Sequence, residues 1–558
     1  MDEPLLDWPA AREEEVMREV PVLIVGGGPV GLGLAADLGW RGISCMLVEQ
    51  GDGTIHHPRA NTVNSRTMEF CRRWGIAEDV RNAGAPPDFP PTILYLTSLQ
   101  GFEVARIERP THGGARPLPI TPERSQRCNQ LFFNPILRKL VRSFASVEMR
   151  ERCRFEGFEE ADGGIVATVR DLATGETERI AARYLVAACG GASVVPKALG
   201  TRWDGNPVLS YHLNIFVRIK DLWTHTKFGK AAFYMFVDPE LRHPTLIELD
   251  GNELWRLGLN QGLDPVPPAK VDVDAIMRRL VGSGIPYEVI SVLPWTCRSV
   301  VADRWQKGPV LLAGDAVHQH SPAGGFGMNT GMGDAVDLGW KLAAMVEGWG
   351  GASLLDSYAP ERKPVAQRNV DEATRNTERF AEGAEFKEII AATPEGERLR
   401  REVGAAIVGE KTKQYVSDGI ALGYRYEGSP IVWPDGTPPT PDEAGTYVPT
   451  SRPGSRAPHA FLADGRSTLD LFGRGFVLLR FVGADGRPLA AAAAARGLPL
   501  TEVAIDDPAI AALYERRLVL VRPDGHVAWR GDHAPDDAAA IIDVARGAGS
   551  VPKAARAA

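Results

Sequence analysis

The spacing Gly26-x-Gly28-x-x-Gly31, set between the apolar run PVLIVGG (21–27) and the helix-like PVGLGLAADLGWRG (29–42), constrains this chain more than any other feature. A short apolar run closed by glycines reads as a buried strand, and the glycine-terminated stretch after it as a helix. ISCMLVEQ (43–50) supplies the next strand, so the segment predicts a βαβ unit and with it a parallel sheet. In such a unit the first glycine permits the tight turn and the second lets a pyrophosphate approach the backbone. The third lets helix and strand pack closely, and the helix N-terminus attracts phosphate. Glu49 ends the second strand about twenty residues on, where a carboxylate reaches a ribose hydroxyl and disfavours a 2′-phosphate. These residues predict a bound dinucleotide, FAD or NAD rather than NADP, without deciding between the two.

Length and charge bound the rest. At 558 residues the chain exceeds what one core supports, so two or three domains are expected. A net charge of −8 argues against a nucleic-acid partner, which needs a basic surface. The six cysteines are scattered with no CxxC pair, which fits reduced thiols rather than a disulfide framework or a metal site. The acidic N-terminus lacks the apolar core of a signal peptide, and no apolar run is long enough for a membrane span. A cytoplasmic location follows as the expectation.

A second glycine-rich element, GPVLLAGDAVHQHSPAGGFGMNTGMGDAVDLGWKLA (308–343), decides the cofactor. A strand delivers Asp315 at its C-terminal end, where ligands sit on a parallel sheet and where a carboxylate can bind ribityl hydroxyls. A loop from Ser321 to Gly333 then leads into a helix expected at 332–348. Backbone amides and a helix N-terminus there suit the electron-rich edge of an isoalloxazine. Gly325, Gly327, Met328 and Asn329 therefore join Asp315 as FAD-binding candidates.

The same segment resembles the GD fingerprint of the class A flavoprotein aromatic monooxygenases, the p-hydroxybenzoate hydroxylase and phenol hydroxylase group. HPRANTVNSRTMEFCRRWGI (57–76) is similar to the stretch that follows the ribose-binding acid in the phenol-hydroxylase-like branch. The resemblance places Arg59 near the flavin and Gln130 on the ribityl chain. The region GSRAPHAFLADGRSTLDLFGRGFVLL…LVRPDGHVAWRGD resembles the thioredoxin-like domain of that branch, here without a CxxC. One departure stands out: Cys189-Gly190 occupies the place of an Asp-Gly pair, and a thiol is a poor, uncharged acceptor.

The resemblance implies an α/β protein. Its Rossmann-type FAD-binding domain (20–84, 121–200, 301–360) interleaves with a mostly antiparallel substrate domain (85–120, 201–300). An N-terminal extension (1–19), a helical segment (361–428), a linker (429–458) and a thioredoxin-like domain (459–558) complete the chain. The implied reaction is hydroxylation of an aromatic, phenolic small molecule with O2, through a flavin C4a-hydroperoxide. NADPH or NADH serves as a transient electron donor, and the implied assembly is a homodimer.

Catalytic candidates are His318, His320 and Pro322 in the flavin loop. Substrate candidates are Asn61, Tyr234, Phe236 and Arg298; the aromatic-rich strands around 205–300 are expected to wall the cavity. Asn61 stands where the branch can carry an acid or histidine, and asparagine takes no proton. Two other readings stay open on the same residues. One is a different FAD-dependent oxidoreductase of this fold (a Baeyer–Villiger-type oxygenase or a dehydrogenase); the other is a catalytically impaired flavin-binding protein.

Overall fold

Val22, Leu23 and Ile24 are consecutive and fully buried, as in a strand covered on both faces. They belong to β1 (Arg18–Val25), the centre of the first sheet. The computed structural model describes residues 17–111, 118–191, 194–381, 387–411 and 415–552, so the expected extension 1–19 lies outside them up to residue 16. From β1 the chain passes through α1 (Pro29–Arg41) into β2 (Cys45–Val48), parallel to β1. The strand Thr177–Ala187 flanks β1 on its other side, also parallel, and Val310–Leu312 follows it. The expected parallel nucleotide-binding sheet is therefore present.

The second sheet has eight strands and is antiparallel except where Ile93–Leu96 runs parallel to Phe233–Phe236. It takes strands from both chain segments assigned to the substrate domain. Its last strand, Glu288–Ala302, pairs on its outer side with His318–Gln319, so the flavin loop begins as the edge strand of this sheet. The two sheets thus meet at that loop.

The pleat sorts this sheet into two faces. Leu213, Ile215, Trp255, Leu257, Tyr234 and Phe236 bury on one face beneath the helix Val273–Leu280. Their neighbours Asn214, Phe216, Arg256 and Gly258 project to the other. A third sheet, ordered Leu500–Ile505, Phe476–Phe481, Leu518–Val521, Val527–Gly531, also alternates. Phe476, Leu478 and Leu520 pack with Trp340 and Trp349, whereas Val477, Leu479 and Val519 pack with Ile510 and Tyr514.

Two expectations change. The helix after the flavin loop is Gly327–Glu347, starting five residues before the expected 332. Its glycines are contact positions rather than loop: a Cβ on Gly331 would meet Val30 Cγ2 of α1 at 2.5 Å. The segment 429–458, expected as a linker, forms no helix or strand yet is packed, with Ile431, Ser451 and Arg456 buried.

Candidate active site and cofactor cleft

The three glycines of the turn are required for three different reasons. Gly26 has φ +109°, and a Cβ there would lie 2.6 Å from the carbonyl oxygen of Ala188. A Cβ on Gly31 would lie 2.0 Å from the carbonyl oxygen of Gly26, so helix and turn touch backbone to backbone. A Cβ on Gly28 would meet nothing within 4 Å. Gly28 is also the N-cap of α1, whose first turn has no side-chain cap. The position facing open space is therefore the one where donors are left for an anion. Glu49 backs this turn, its carboxylate accepting from Gly27 N and Gly51 N at 2.6 Å each. Beyond it an open cleft of about 570 Å³ is lined by Asp52, Thr54, Arg138 and Lys139 among others.

Asp315 lies in the short turn Gly314–Ala316 that follows the strand Val310–Leu312. Its side chain keeps accessible surface although protein surrounds it, as at the bottom of a recess. That surrounding pushes its carboxyl up, against the opposing pull of His318 and Arg59. Gly325 takes φ +69° in a turn closed by its N–H on the Pro322 carbonyl at 3.1 Å. The helix Gly327–Glu347 again starts without a side-chain cap. Gly327 and Met328 are half-buried at this start. Gln130 Oε1 accepts from Arg59 N at 2.8 Å, fixing the loop that carries Arg59.

These residues fit an FAD: an uncapped helix start beside Gly28, an acid behind it, and Asp315 at the bottom of a recess beside a second uncapped helix. Gly26, Gly28, Gly31, Glu49 and Asp315 would hold the dinucleotide, with the Gly325–Met328 backbone at the ring.

Several side chains sit otherwise than the sequence suggested. Asn329 has no free valence: Oδ1 accepts from Asn64 N (2.9 Å) and Thr67 Oγ1 (2.8 Å). Its Nδ2 donates to the carbonyls of Thr62 (3.0 Å) and Gly325 (2.8 Å), so only its main chain remains for a ligand. His318 is fully buried and its Nε2 lies 2.7 Å from Asp334 Oδ2. Asp334 in turn accepts from Arg362 Nε (2.9 Å) and Gly314 N (3.1 Å). Burial alone would raise Asp334, but His318 and Arg362 hold it below the usual carboxylate range. His318 therefore anchors the loop from behind, with Nε2 taken by Asp334 and Nδ1 buried without a partner. His320 has both ring nitrogens buried without a partner, and burial pushes its pKa well down. The Pro322 carbonyl is used within its own turn.

The substrate candidates also need correction. Tyr234 and Phe236 point into the core under Val273–Leu280, and the Tyr234 hydroxyl donates to the Gly229 carbonyl at 2.7 Å. The pleat places them one residue out of phase with the inward face. Arg298 donates to Gln319 Oε1 at 3.2 Å at the flavin-loop end of its strand. Cys189 is half-buried, its Cα 2.8 Å from where a Cβ on Gly26 would be, so its backbone props the glycine turn.

The inward face is built instead by Phe216, Asn214, Gly258, Leu293 and Trp295, with His212 stacked on Trp295 at 4.4 Å. Arg256 lies on the same face, cross-strand from Phe216 and Ile247. It donates to the carbonyls of Pro58 (3.2 Å) and Arg59 (3.0 Å). Asn61, oriented so that both amide atoms are satisfied, accepts from Arg256 Nη2 at 3.2 Å. Arg256 was legible as the single cation in the alternating strand LWRLGLN, a signal that motif matching passes over.

Residues 19–373 match the family described as FAD binding domain, and residues 450–548 the family described as aromatic-ring hydroxylase, C-terminal. The tetracenomycin B2 monooxygenase-dioxygenase of Streptomyces olivaceus is 34% identical, covering 94% of this chain and 97% of its own. A 4-methyl-5-nitrocatechol 5-monooxygenase from a Burkholderia species is also 34% identical, covering 95% and 97%. Chromopyrrolic acid-soaked RebC with bound 7-carboxy-K252c is 42% identical with a TM-score of 0.90, over 96% of this chain and 100% of that one. With matches of that extent and a cleft of this construction, the chain belongs to the FAD-dependent aromatic-ring monooxygenases, the class A flavoprotein hydroxylases.

Proposed function

We propose that this enzyme hydroxylates a phenolic or similarly electron-rich aromatic ring, with O2 as co-substrate and NADH or NADPH as electron donor. The observation that carries this reading is the flavin loop serving as edge strand of the sheet whose inward face holds Phe216, Leu293 and Trp295. A flat aromatic against that face lies beside the ring end of the cofactor site. FAD, when bound, supplies the redox chemistry that activates oxygen. The chain's own residues bind, orient and exclude water. The loop 56–61 lies against the sheet wall, with His57 Nδ1 hydrogen-bonded to Ser291 Oγ at 3.0 Å between them. His57 is neutral at physiological pH, because burial, then Arg256 and Arg59, push its pKa down to about 4. Among the described residues only β1, α1 and β2 form the nucleotide turn, and no second such turn is present for a resident nicotinamide. That favours a donor that docks and leaves.

The relatives' names range from a nitrocatechol to tetracenomycin B2, which supports a ring-hydroxylating role without fixing ring size. The test is to supply purified, FAD-loaded enzyme with NADH or NADPH, 18O2 and a panel of phenols. The expected result is phenol-stimulated oxidation of the nicotinamide with one 18O on the recovered ring. Nicotinamide oxidation with no label in any product would overturn hydroxylation in favour of another oxidoreductase activity.

A further inference from the structure

We propose that Arg522, in the C-terminal domain, is a positioning residue for the FAD site: by neutralising Glu361 and Asp337 it leaves Arg362 free to hold the turn that carries Asp315. The proposal concerns cofactor binding and does not depend on which ring is hydroxylated.

The C-terminal domain carries no CxxC pair, so a thiol–disulfide role is not open to it. Its contact with the rest of the chain is instead a buried ionic cluster. Arg522 opens the turn between the strands Leu518–Val521 and Val527–Gly531 and is fully buried. Its Nη1 donates to Glu361 Oε1 at 2.5 Å and its Nη2 to Glu361 Oε2 at 3.0 Å, a forked pair. Nη2 also reaches Asp337 Oδ1 at 3.3 Å and Asp524 Oδ2 at 2.7 Å. Lys341, equally buried, donates to Asp337 and Glu361 at 2.7 Å each. Three buried acids therefore share two cations. Asp337 belongs to the helix Gly327–Glu347 that starts at the flavin loop, and Glu361 to the helix Tyr358–Ala381 packed beside it.

The residue after Glu361 carries the link onward. Arg362 Nε donates to Asp334 Oδ1 and its Nη2 to the Thr330 carbonyl, both at 2.9 Å. Asp334 Oδ2 accepts from Gly314 N at 3.1 Å and lies 2.7 Å from His318 Nε2, so it grips the chain on both sides of Asp315. Arg362 is not saturated, because its Nη1 is buried without a partner. Asp334 and Asp337 stand three residues apart on one helix and are neighbours on its surface, so one guanidinium can serve either. Without Arg522, three buried acids are left with Lys341 alone. Buried carboxylates lacking counter-charge are strongly unfavourable, and the guanidinium at hand to answer them is Arg362, drawn away from Asp334. Arg522 thus acts on the Asp315 turn through competition for Arg362.

The test measures the FAD dissociation constant by flavin fluorescence, with amide hydrogen exchange of the segment around Gly314 in the FAD-loaded enzyme as a local readout. Arg522→Gln is expected to weaken FAD roughly 10-fold, the worth of one charge-assisted contact, and to speed exchange at Gly314 as its bond to Asp334 loosens. Arg522→Lys keeps the charge and recovers part of the loss. Combining Arg522→Gln with Asp337→Asn removes one acid with the one cation and restores the wild-type excess of a single acid. Both readouts then return toward wild type although the forked pair is gone. Arg530→Gln is the control: it breaks another buried pair of the C-terminal region, to Asp435 at 2.7 Å and Glu515 at 2.8 Å. It lowers stability and leaves both readouts unchanged. Wild-type FAD affinity in Arg522→Gln overturns the proposal. So does an equal loss in Arg530→Gln, which would make the effect one of general loosening. A double variant no better than Arg522→Gln overturns it too, and if Arg522→Gln does not fold, a double variant that folds yet binds FAD about 10-fold weaker does the same.

Discussion

Gly28 and Gly31 belong to one motif, yet the structure separates what each does, and alanine at the two positions is expected to fail differently. A methyl on Gly31 would lie 2.0 Å from the carbonyl oxygen of Gly26, more than 1 Å inside an ordinary carbon–oxygen contact. Gly26 is held in place, its N–H on the Val48 carbonyl at 2.9 Å and its other side against the Ala188 backbone. Relief requires α1 to shift against β1, and overpacking of that kind costs about 1–3 kcal/mol or more. A methyl on Gly28 meets nothing within 4 Å, and its φ of −72° suits alanine, so the protein without cofactor loses only the difference between glycine and alanine at an N-cap, about 1 kcal/mol or less. That methyl does fill the space where a pyrophosphate must approach the α1 N-terminus, and losing one charge-assisted contact there weakens FAD about 10- to 100-fold. Urea unfolding of FAD-free protein and fluorescence-quench titration of FAD measure the two quantities. Gly31→Ala is expected to lose stability in the absence of FAD, and Gly28→Ala to lose FAD affinity with stability nearly kept. If Gly28→Ala binds FAD like the wild type, the assignment of that space to the cofactor is refuted; if FAD-free Gly31→Ala is as stable as wild type, the packing argument is.

Other residues make sharper statements about roles. His318→Gln should lower thermal stability by about 1–3 kcal/mol, by disturbing a buried bond to Asp334, while leaving the shape of the pH–rate profile unchanged; a lost limb would make it a base after all. Tyr234→Phe removes a bond to Gly229 from the back of the sheet and should cost about 0.5–1.5 kcal/mol of stability with KM for any aromatic unaltered. Glu69, on the helix α2 (Ser65–Arg73), accepts from Arg456 Nε at 3.0 Å and Arg66 Nη1 at 2.8 Å. Burial would raise its pKa, but Arg456 and Arg66 outweigh that and set it at about 2. A depressed carboxyl stabilises the fold above its unfolded value and loses that contribution as pH falls toward 2. On the order of 3 kcal/mol should therefore vanish between about pH 4.5 and 2, and Glu69→Gln should flatten acid unfolding in that window. An unchanged acid-unfolding curve for Glu69→Gln would rule this out.

What the chain declares locally, it declares well. Gly26, Gly28, Gly31 and Glu49 lie within one βαβ unit, and Asp315 with Gly325 within one strand–loop–helix, so spacing alone places them there. Segment types were legible for the same reason, since periodicity is a property of consecutive residues. The start of the Gly327–Glu347 helix was not: glycines that lower helix propensity are kept there because α1 packs against them.

The remaining errors are errors of partnership. Tyr234 and Phe236 sit in the right strand, but a period of two makes one residue's offset the difference between core and cavity, and only pairing with Ile93–Leu96 and Arg242–Glu248 sets that phase. His318 looks like a base in sequence and becomes an anchor because Asp334, itself held by Arg362 of the next helix, closes on it. Arg256 draws no notice until folding brings Pro58, Arg59 and Asn61 to its guanidinium without bringing an acid. The sequence by itself thus determined the cofactor turn, the flavin loop and the order of segments, because those depend on neighbours along the chain. Which charges are cancelled and which are left over was decided by the tertiary structure alone, because electrostatic balance depends on distance in space.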